Sequence, residues 1–485
     1  MGHQGIAVPA RDEHEIQDLL SDALVVATQC ADAAVTLTVA DALAAWATRE
    51  DRSRIPAEVR SAALRCITDT TGCALAAASF APMPAMLALT RAEAGAGRCR
   101  LLVASERVGP LAAAELNAAA AHALDFDDTC YAGIAHGSAV IWPAVLAVAQ
   151  AERVPGARAL DAFITGAEAA YALGKAFGNA LYLERGWWTT AYLGAVGAAV
   201  ACADLLDLSP TQAHNAIGLA ASGSMVVRAL FGSHAKPYYC GAASREGVRA
   251  AMAARAGMCG PARVFEHPLG TIAAQNDGAF DQRRLAWLGR DWSLATPGIA
   301  FKRYPVCSAA QAAAQATIEL LEAMHASAHD VEAITCAVPP LVTLSLIYPN
   351  PSSPAEAQFS LPFAVSCAAL HLGIEPAHLT QATLSDAALR AMMARVRHET
   401  LADLQFAQHE PEGAQVTLRL FDRRECTLRI GAARGMPTAS MSNDELRAKF
   451  VRNAGAGSAA EVLARRLLEL DREPDCDFIA HGTIA

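Results

Sequence analysis

The chain has 485 residues, 53% of them hydrophobic, with 39 basic against 49 acidic side chains and a formal net charge of -10. That length can bury a large core in two or three domains, and the acidic balance excludes a general binder of nucleic-acid backbones. With only 6% aromatic residues amid abundant alanine, the composition favours closely packed helices. The most apolar runs are short and interrupted by charge, so no membrane span is expected. The opening MGHQGIAVPARDEHEIQ is polar and acidic rather than leader-like, and the thirteen cysteines include no CxxC pair. Both features predict a cytoplasmic protein with reduced thiols.

In chain order, Glu13 to Trp46 carries helical apolar spacing, clearest in IQDLLSDALVVATQ. IPAEVRSAALRCITDTTGCALAAAS predicts a second helix with Pro56 in its first turn and Val59, Ala63, Cys66, Ile67 and Thr70 on one side. Ala/Leu-rich helices follow through Pro110 to Gln150, Pro155 to Phe177 and Trp188 to Asp207. TQAHNAIGLAAS begins another, with Thr211 as its expected cap. After Trp287 the character changes. Trp292 to Lys302 reads as extended, SAAQAAAQATIELLEAM as a helix, VEAITCAV as a strand and PFAVSCAALHL as a helix. AQVTLRLFDRRECTLRI reads as a hairpin in which Val416, Leu418 and Leu420 alternate, answered by Cys426, Leu428 and Ile430. NDELRAKFVRNAG and SAAEVLARRLLELD close the chain as helices. The expected organisation is a mainly α protein, with helical residues 1–287 and 434–485 flanking a smaller α+β domain at 288–433.

No GxGxxG follows a strand, and neither a Walker A sequence nor HExxH occurs, so no nucleotide, organic cofactor or metal is expected. The densest polar segment is AHALDFDDTCYAGIAHGSAVIWP. On a helix Asp125, Asp128 and Thr129 would share one face, with His122 one turn earlier. So many carboxylates in an apolar context are costly unless paired. Capping of a helix end and loop is the alternative explanation. His136 follows after Ala-Gly-Ile-Ala and suits proton transfer near neutral pH. Lys236 in HAKPYY and Lys302 in FKRYP sit beside rigid prolines and aromatics. These would hold a cation for a carboxylate, or equally let a surface lysine pack its stem.

HALDFDDT with its following histidine resembles the signature segment of the MmgE/PrpD family. The likeness continues through GSHAKPYYCGAASREGVRAAMAARAG, FKRYPVCSAAQ, AEAQFSLPFAVSCAAL and SNDELRAKF, in the same order and over most of the chain. It implies a large helical domain built from both ends of the chain, an inserted α+β domain, a pocket at their junction, and a homodimer. Carried over residue by residue, it implies that Asp125, Thr129, His136, Lys236, Lys302 and Tyr348 line the pocket. Three positions depart from the pattern: Trp188, Cys307 and Tyr239 stand where histidines are expected. Trp188 would supply an aromatic wall, and Cys307 either a thiol acid/base or simple filling.

The family includes dehydratases, decarboxylases and epimerases of small carboxylates. The expected reaction is dehydration of a small hydroxy di- or tricarboxylate by proton abstraction next to a carboxylate. Epimerisation, decarboxylation and a catalytically silent binding protein follow as alternatives. In that scheme His136 moves the proton, Asp125 tunes it, Thr129 bonds the substrate, Lys236 and Lys302 clamp carboxylates, and Tyr348 donates the opposing proton. No basic stripe interleaved with aromatics points to nucleic acid.

Overall fold

The structure is a computed structural model that describes residues 37–52, 54–401, 404 and 411–479. Alanine and glycine set its helical part, because small side chains let helix backbones approach closely. The longer helices there are α1 (Val39–Ala47), α2 (Ala57–Ala76), α3 (Met83–Glu93), α4 (Pro110–Ala123), α5 (Gly137–Glu152), α6 (Gly156–Phe177), α7 (Thr189–Leu205), α8 (Pro210–Gly223) and α9 (Ala235–Arg255). Where α6 crosses α7, a Cβ on Gly166 would lie 2.4 Å from the Gly197 carbonyl oxygen, so alanine there would push the helices apart. Around that contact, Trp142 meets Phe163 edge-on at 6.3 Å, and both are fully buried. α9 packs on α4 and α7, which places Lys236 at the end of α4.

Three sequence expectations change here, and a fourth lies outside the described residues. The IQDLLSDALVVATQ helix lies outside the described residues, and α1 covers only the end of the Glu13–Trp46 segment. The cap of α8 is Ser209, not Thr211. Its hydroxyl accepts from the Gln212 amide while the Gln212 side chain accepts from the Ser209 amide, with Pro210 in the first turn. A short ribbon of β1 (Ala96–Arg100) and β2 (Arg107–Val108) interrupts the helices. Residues 293–297 form turns rather than an extended stretch, because the buried Glu168 carboxylate accepts the Ser293 and Leu294 amides and draws the backbone inward.

Beyond these turns the α+β part holds α10 (Gln311–Ala323), α11 (Leu361–His371) and a four-stranded sheet. Its strands are β3 (Val331–Val338), β4 (Val396–Thr400), β5 (Ala414–Leu420) and β6 (Glu425–Ile430), in the order β4-β3-β5-β6. β3 pairs parallel with β4 and antiparallel with β5, and β5 and β6 form the expected hairpin. Val416, Leu418 and Leu420 are fully buried against α10, as strict alternation requires. Opposite Leu418, Cys426 is exposed on the edge strand, while Leu428 is half-buried and Ile430 buried, so the expected alternation reaches the core only in the second half of β6. The last helices, α12 (Asn443–Asn453) and α13 (Ser458–Leu468), return to pack on α2. The fold is thus mainly helical, with a smaller mixed α/β part between helical segments from both ends. No described helix is long and apolar enough to cross a membrane.

Candidate active site

The site begins where α4 stops. Asp125 takes a left-handed backbone (φ 47°), which ends the helix and turns Phe126 to Thr129 into a loop. Aspartate tolerates that conformation better than most residues. The shared helical face expected for Asp125, Asp128 and Thr129 is therefore absent, and the carboxylates acquire different partners. The Thr129 amide and carbonyl pair with Ala300 at 2.9 Å, tying the turn to the strand-like residues before Lys302. Cys130 and Ala135 pair in the same way across the Ala-Gly-Ile-Ala loop and return His136 over the turn.

Asp125 is the hub. Its Oδ1 accepts from Lys236 Nζ at 2.5 Å, and its Oδ2 lies 3.1 Å from Lys302 Nζ. Lys302 also donates to the Asp125 backbone carbonyl at 2.8 Å. All three side chains are at most 4% exposed. Burial alone would raise the Asp125 carboxyl, but Lys236 and Lys302 outweigh it and hold it well below the usual carboxylate range. Burial would likewise lower Lys302, and Asp125 with Asp127 overcomes that and holds its ammonium above the usual lysine range.

The network continues into two histidines. Lys236 Nζ donates to His122 Nε2 at 2.6 Å, and His122 Nδ1 lies 2.8 Å from Asp127 Oδ2. Since an ammonium can only donate, His122 carries its proton on Nδ1 and passes it toward Asp127. His136 Nδ1 faces three oxygens: the Asp128 carbonyl at 2.8 Å, Thr129 Oγ1 at 3.2 Å and Asp127 Oδ2 at 3.4 Å. Its proton therefore sits on Nδ1, leaving the Nε2 lone pair with no hydrogen-bond partner among the described residues. Burial, reinforced by Lys302, lowers His136 well below the ordinary histidine value, so the ring is neutral. Burial would also raise Asp127, but His122, His136 and Lys302 keep it ionised.

An aromatic wall encloses Lys236. Its Nζ lies 5.6 Å from the Trp188 ring centre, 5.3 Å from Phe231 and 5.2 Å from Phe359. Trp188 is buried and lies tilted at 30° beside His122, as the wall expected for that position requires. Tyr348 reaches the rim of this wall rather than the ion cluster. Its hydroxyl donates to the Phe231 carbonyl at 2.8 Å, and its ring fills the space a Cβ on Gly232 (φ 75°) would occupy. Cys307 is buried nearby, with its amide bonded to the Gln358 carbonyl, and burial pushes its thiol up to about 12. It is a neutral thiol at physiological pH. Tyr239 is exposed and packs edge-on against Tyr238.

The structure thus brings together Asp125, Thr129, His136, Lys236 and Lys302, keeps Cys307 adjacent, and holds Tyr348 at the rim. Sequence reasoning passed over Asp127 and gave His122 no role. The middle acid of DFDDT was the available signal, since only one of three clustered carboxylates can face each partner. The ligand atoms of His122, Asp127 and His136 lie within 4.8 Å of one another, close enough to consider a metal. Both Nδ1 atoms, however, are directed at a single Asp127 oxygen, and His122 Nε2 is taken by an ammonium. A divalent ion here would face two lysine charges, so the set suits a hydrogen-bonded relay better.

A helical scaffold with a small α/β part and a buried acid–base cluster between two lysines defines the class. Residues 41–282 match the MmgE/PrpD N-terminal domain and residues 304–473 the MmgE/PrpD C-terminal domain, so the chain belongs to the MmgE/PrpD family. Among curated proteins it is 30% identical to the cis-aconitate decarboxylase-like protein oryM of Aspergillus oryzae, over 51% of this chain and 54% of that protein. It is 27% identical to the cis-aconitate decarboxylase of Aspergillus terreus, over 58% and 59% respectively. The human cis-aconitate decarboxylase is 25% identical over 77% of this chain and 79% of its own length. The chain thus spans little more than half the length of the fungal relatives it matches.

Proposed function

We propose that this protein is a lyase that decarboxylates a small unsaturated tricarboxylate of the cis-aconitate kind. The observation that carries the reading is one buried carboxylate, Asp125, holding two buried ammonium groups beside a histidine whose Nε2 is free. A substrate carboxylate can share the two ammonium groups with Asp125, which sets two anions against two cations and leaves no buried charge bare. The names of the relatives support decarboxylation in particular, which moves it ahead of the dehydration expected from sequence.

In such a substrate the leaving carboxylate is attached one carbon away from a C=C bond. As the C–CO2 bond breaks, its electron pair forms a new C=C bond, and the former π pair takes a proton at the far carbon. His136 Nε2 stands as the proton donor once the polyanion raises the affinity of its ring for a proton, which is drawn from solvent. Lys236 and Lys302 hold the remaining carboxylates and stabilise the charge that builds as carbon dioxide departs. Asp127 supports the imidazolium through His136 Nδ1.

Dehydration is the second reading, favoured by the neutral, lowered His136 of the free protein, which is a resting base rather than a resting acid. Epimerisation has less support. It needs a second proton carrier on the opposite face, whereas the Cys307 thiol is pushed up to about 12 and the Tyr348 hydroxyl is spent on a carbonyl. Carbon-13 NMR of purified protein with cis-aconitate and hydroxy tricarboxylates in deuterium oxide separates these readings. Released carbon dioxide with one deuterium in the product is expected. Interconversion of alkene and alcohol without carbon dioxide would replace decarboxylation with dehydration, and deuterium exchange alone would favour an epimerase.

A further inference from the structure

The returning C-terminal helix carries a third buried lysine. Lys449 of α12 is 2% exposed; its Nζ pairs with Asp69 Oδ1 of α2 at 2.7 Å and donates to the Phe126 carbonyl at 2.8 Å. The ammonium also lies 3.9 Å from the Phe126 ring centre. The Phe126 carbonyl belongs to the peptide that leads into Asp127, the residue that receives His122 and stands beside His136. The Asp125–Thr129 turn is therefore held from both sides. Lys302 grips the Asp125 carbonyl from the substrate side, and Lys449 grips the next carbonyl from behind.

We infer that Lys449 is a positioning residue, which fixes the turn so that the Asp127 carboxylate stays on His122 and His136. It touches neither the lysine pair nor the free His136 nitrogen, so it acts on proton transfer through Asp127 and not on carboxylate binding. A buried, flexible ammonium would make a poor purely structural element when an apolar side chain could fill the same space, because desolvating the pair costs much of what its attraction returns. Its bond to a backbone carbonyl inside the catalytic turn gives it a use that an apolar residue could not supply. The inference rests on the proposed reaction for its kinetic readout, but its structural content stands apart from that reaction.

The test compares the full chain bearing Asp69→Asn with the same chain bearing Asp69→Asn and Lys449→Met. The first keeps the bond to the Phe126 carbonyl, and the second removes it without stranding a charged partner. Misplacement of a catalytic group by about 1 Å costs on the order of 100-fold, so kcat in the double variant should fall about 10- to 100-fold below the single variant, with KM within about threefold. Imidazole nitrogen-15 NMR, which needs no substrate, should show His136 protonated on Nδ1, facing the turn, in the single variant and a mixture of tautomers in the double variant. If a folded double variant keeps the kcat of the single variant and the His136 tautomer, the positioning role is wrong. If no tricarboxylate is turned over by the unaltered protein yet the tautomer shifts, the positioning role stands and the reaction assigned above falls.

Discussion

The two sides of one short turn show how differently a protein interior treats the same acid. On the lysine side Asp125 and Asp127 are buried among lysines and histidines and stay ionised. On the far side Asp128, buried as deeply, has Asp69 and Asp127 as like-charged neighbours, and burial pushes its carboxyl up to about 7. Ser138 and Cys66 oppose that rise without cancelling it. Depth is common to all three residues, so partners decide the protonation state. A chain that needs charge at one face and neutrality at the other can obtain both from neighbouring aspartates by leaving the helix at Asp125.

The sharpest way to break this comparison is to remove the hub. Asp125→Ala would leave the Lys236 and Lys302 ammonium groups buried side by side. Chemical denaturation should show a loss of about 3–5 kcal/mol, the scale for stripping one partner from a buried ion pair. Turnover should vanish along with the stability. A protein that tolerates this change within about 1 kcal/mol would mean that the lysines are solvated and that the hub does not exist.

Next in size is His136→Asn. It should fold normally and lose about 100- to 10,000-fold in turnover, since the change removes the free imidazole nitrogen and leaves the carboxylate clamp intact. Unchanged kcat in a folded variant would transfer the proton to another group.

The far side is tested by pH. Asp128 has a folded value raised above that of the unfolded chain, so the folded state binds more protons between about 4 and 7. Its contribution to stability is therefore present at low pH and is lost as pH rises through about 7, the reverse of Asp125 and Asp127. Asp128→Asn imitates the protonated acid. Compared with the unaltered protein it should gain roughly 2–4 kcal/mol at pH 8, and the gain should shrink toward zero near pH 4. Taking the difference at each pH removes the titration of the two histidines, which runs in the opposite direction. A gain that does not depend on pH would show that Asp128 is ionised throughout.

The smallest effect belongs to Cys307→Ala. A thiol held at about 12 contributes no thiolate at neutral pH, so kcat should change by less than about threefold and the pH–rate profile should keep its shape. Loss of an alkaline limb in that variant would restore the thiol to the proton-transfer scheme.

The contrast between the two sides also explains what the sequence could and could not convey. Helix positions followed from alanine content and spacing, and the Val416–Leu420 alternation marked the buried face of β5, because these signals repeat along the chain. The residue types at the site were equally visible: Asp125, His136, Lys236 and Lys302 all stood out as charges in apolar surroundings, and the structure gathers them. What spacing could not convey was the reversal at Asp125. A helical reading places Asp125 and Asp128 on one face, and a single left-handed residue sends them to different partners. The role of Lys449 was hidden for another reason: its partners, Asp69 and Phe126, lie hundreds of residues away, and a lysine in LRAKF looks like any solvated helix charge.

On the proposed reading, the Asp125, Lys236, Lys302 and His136 cluster receives the substrate. A crystal structure of the protein with a saturated, unreactive tricarboxylate tests it most directly. One ligand carboxylate is expected within about 3 Å of both lysine ammonium groups, with a ligand carbon facing His136 Nε2. A ligand bound elsewhere, with Lys236 and Lys302 still closed on Asp125, would contradict it.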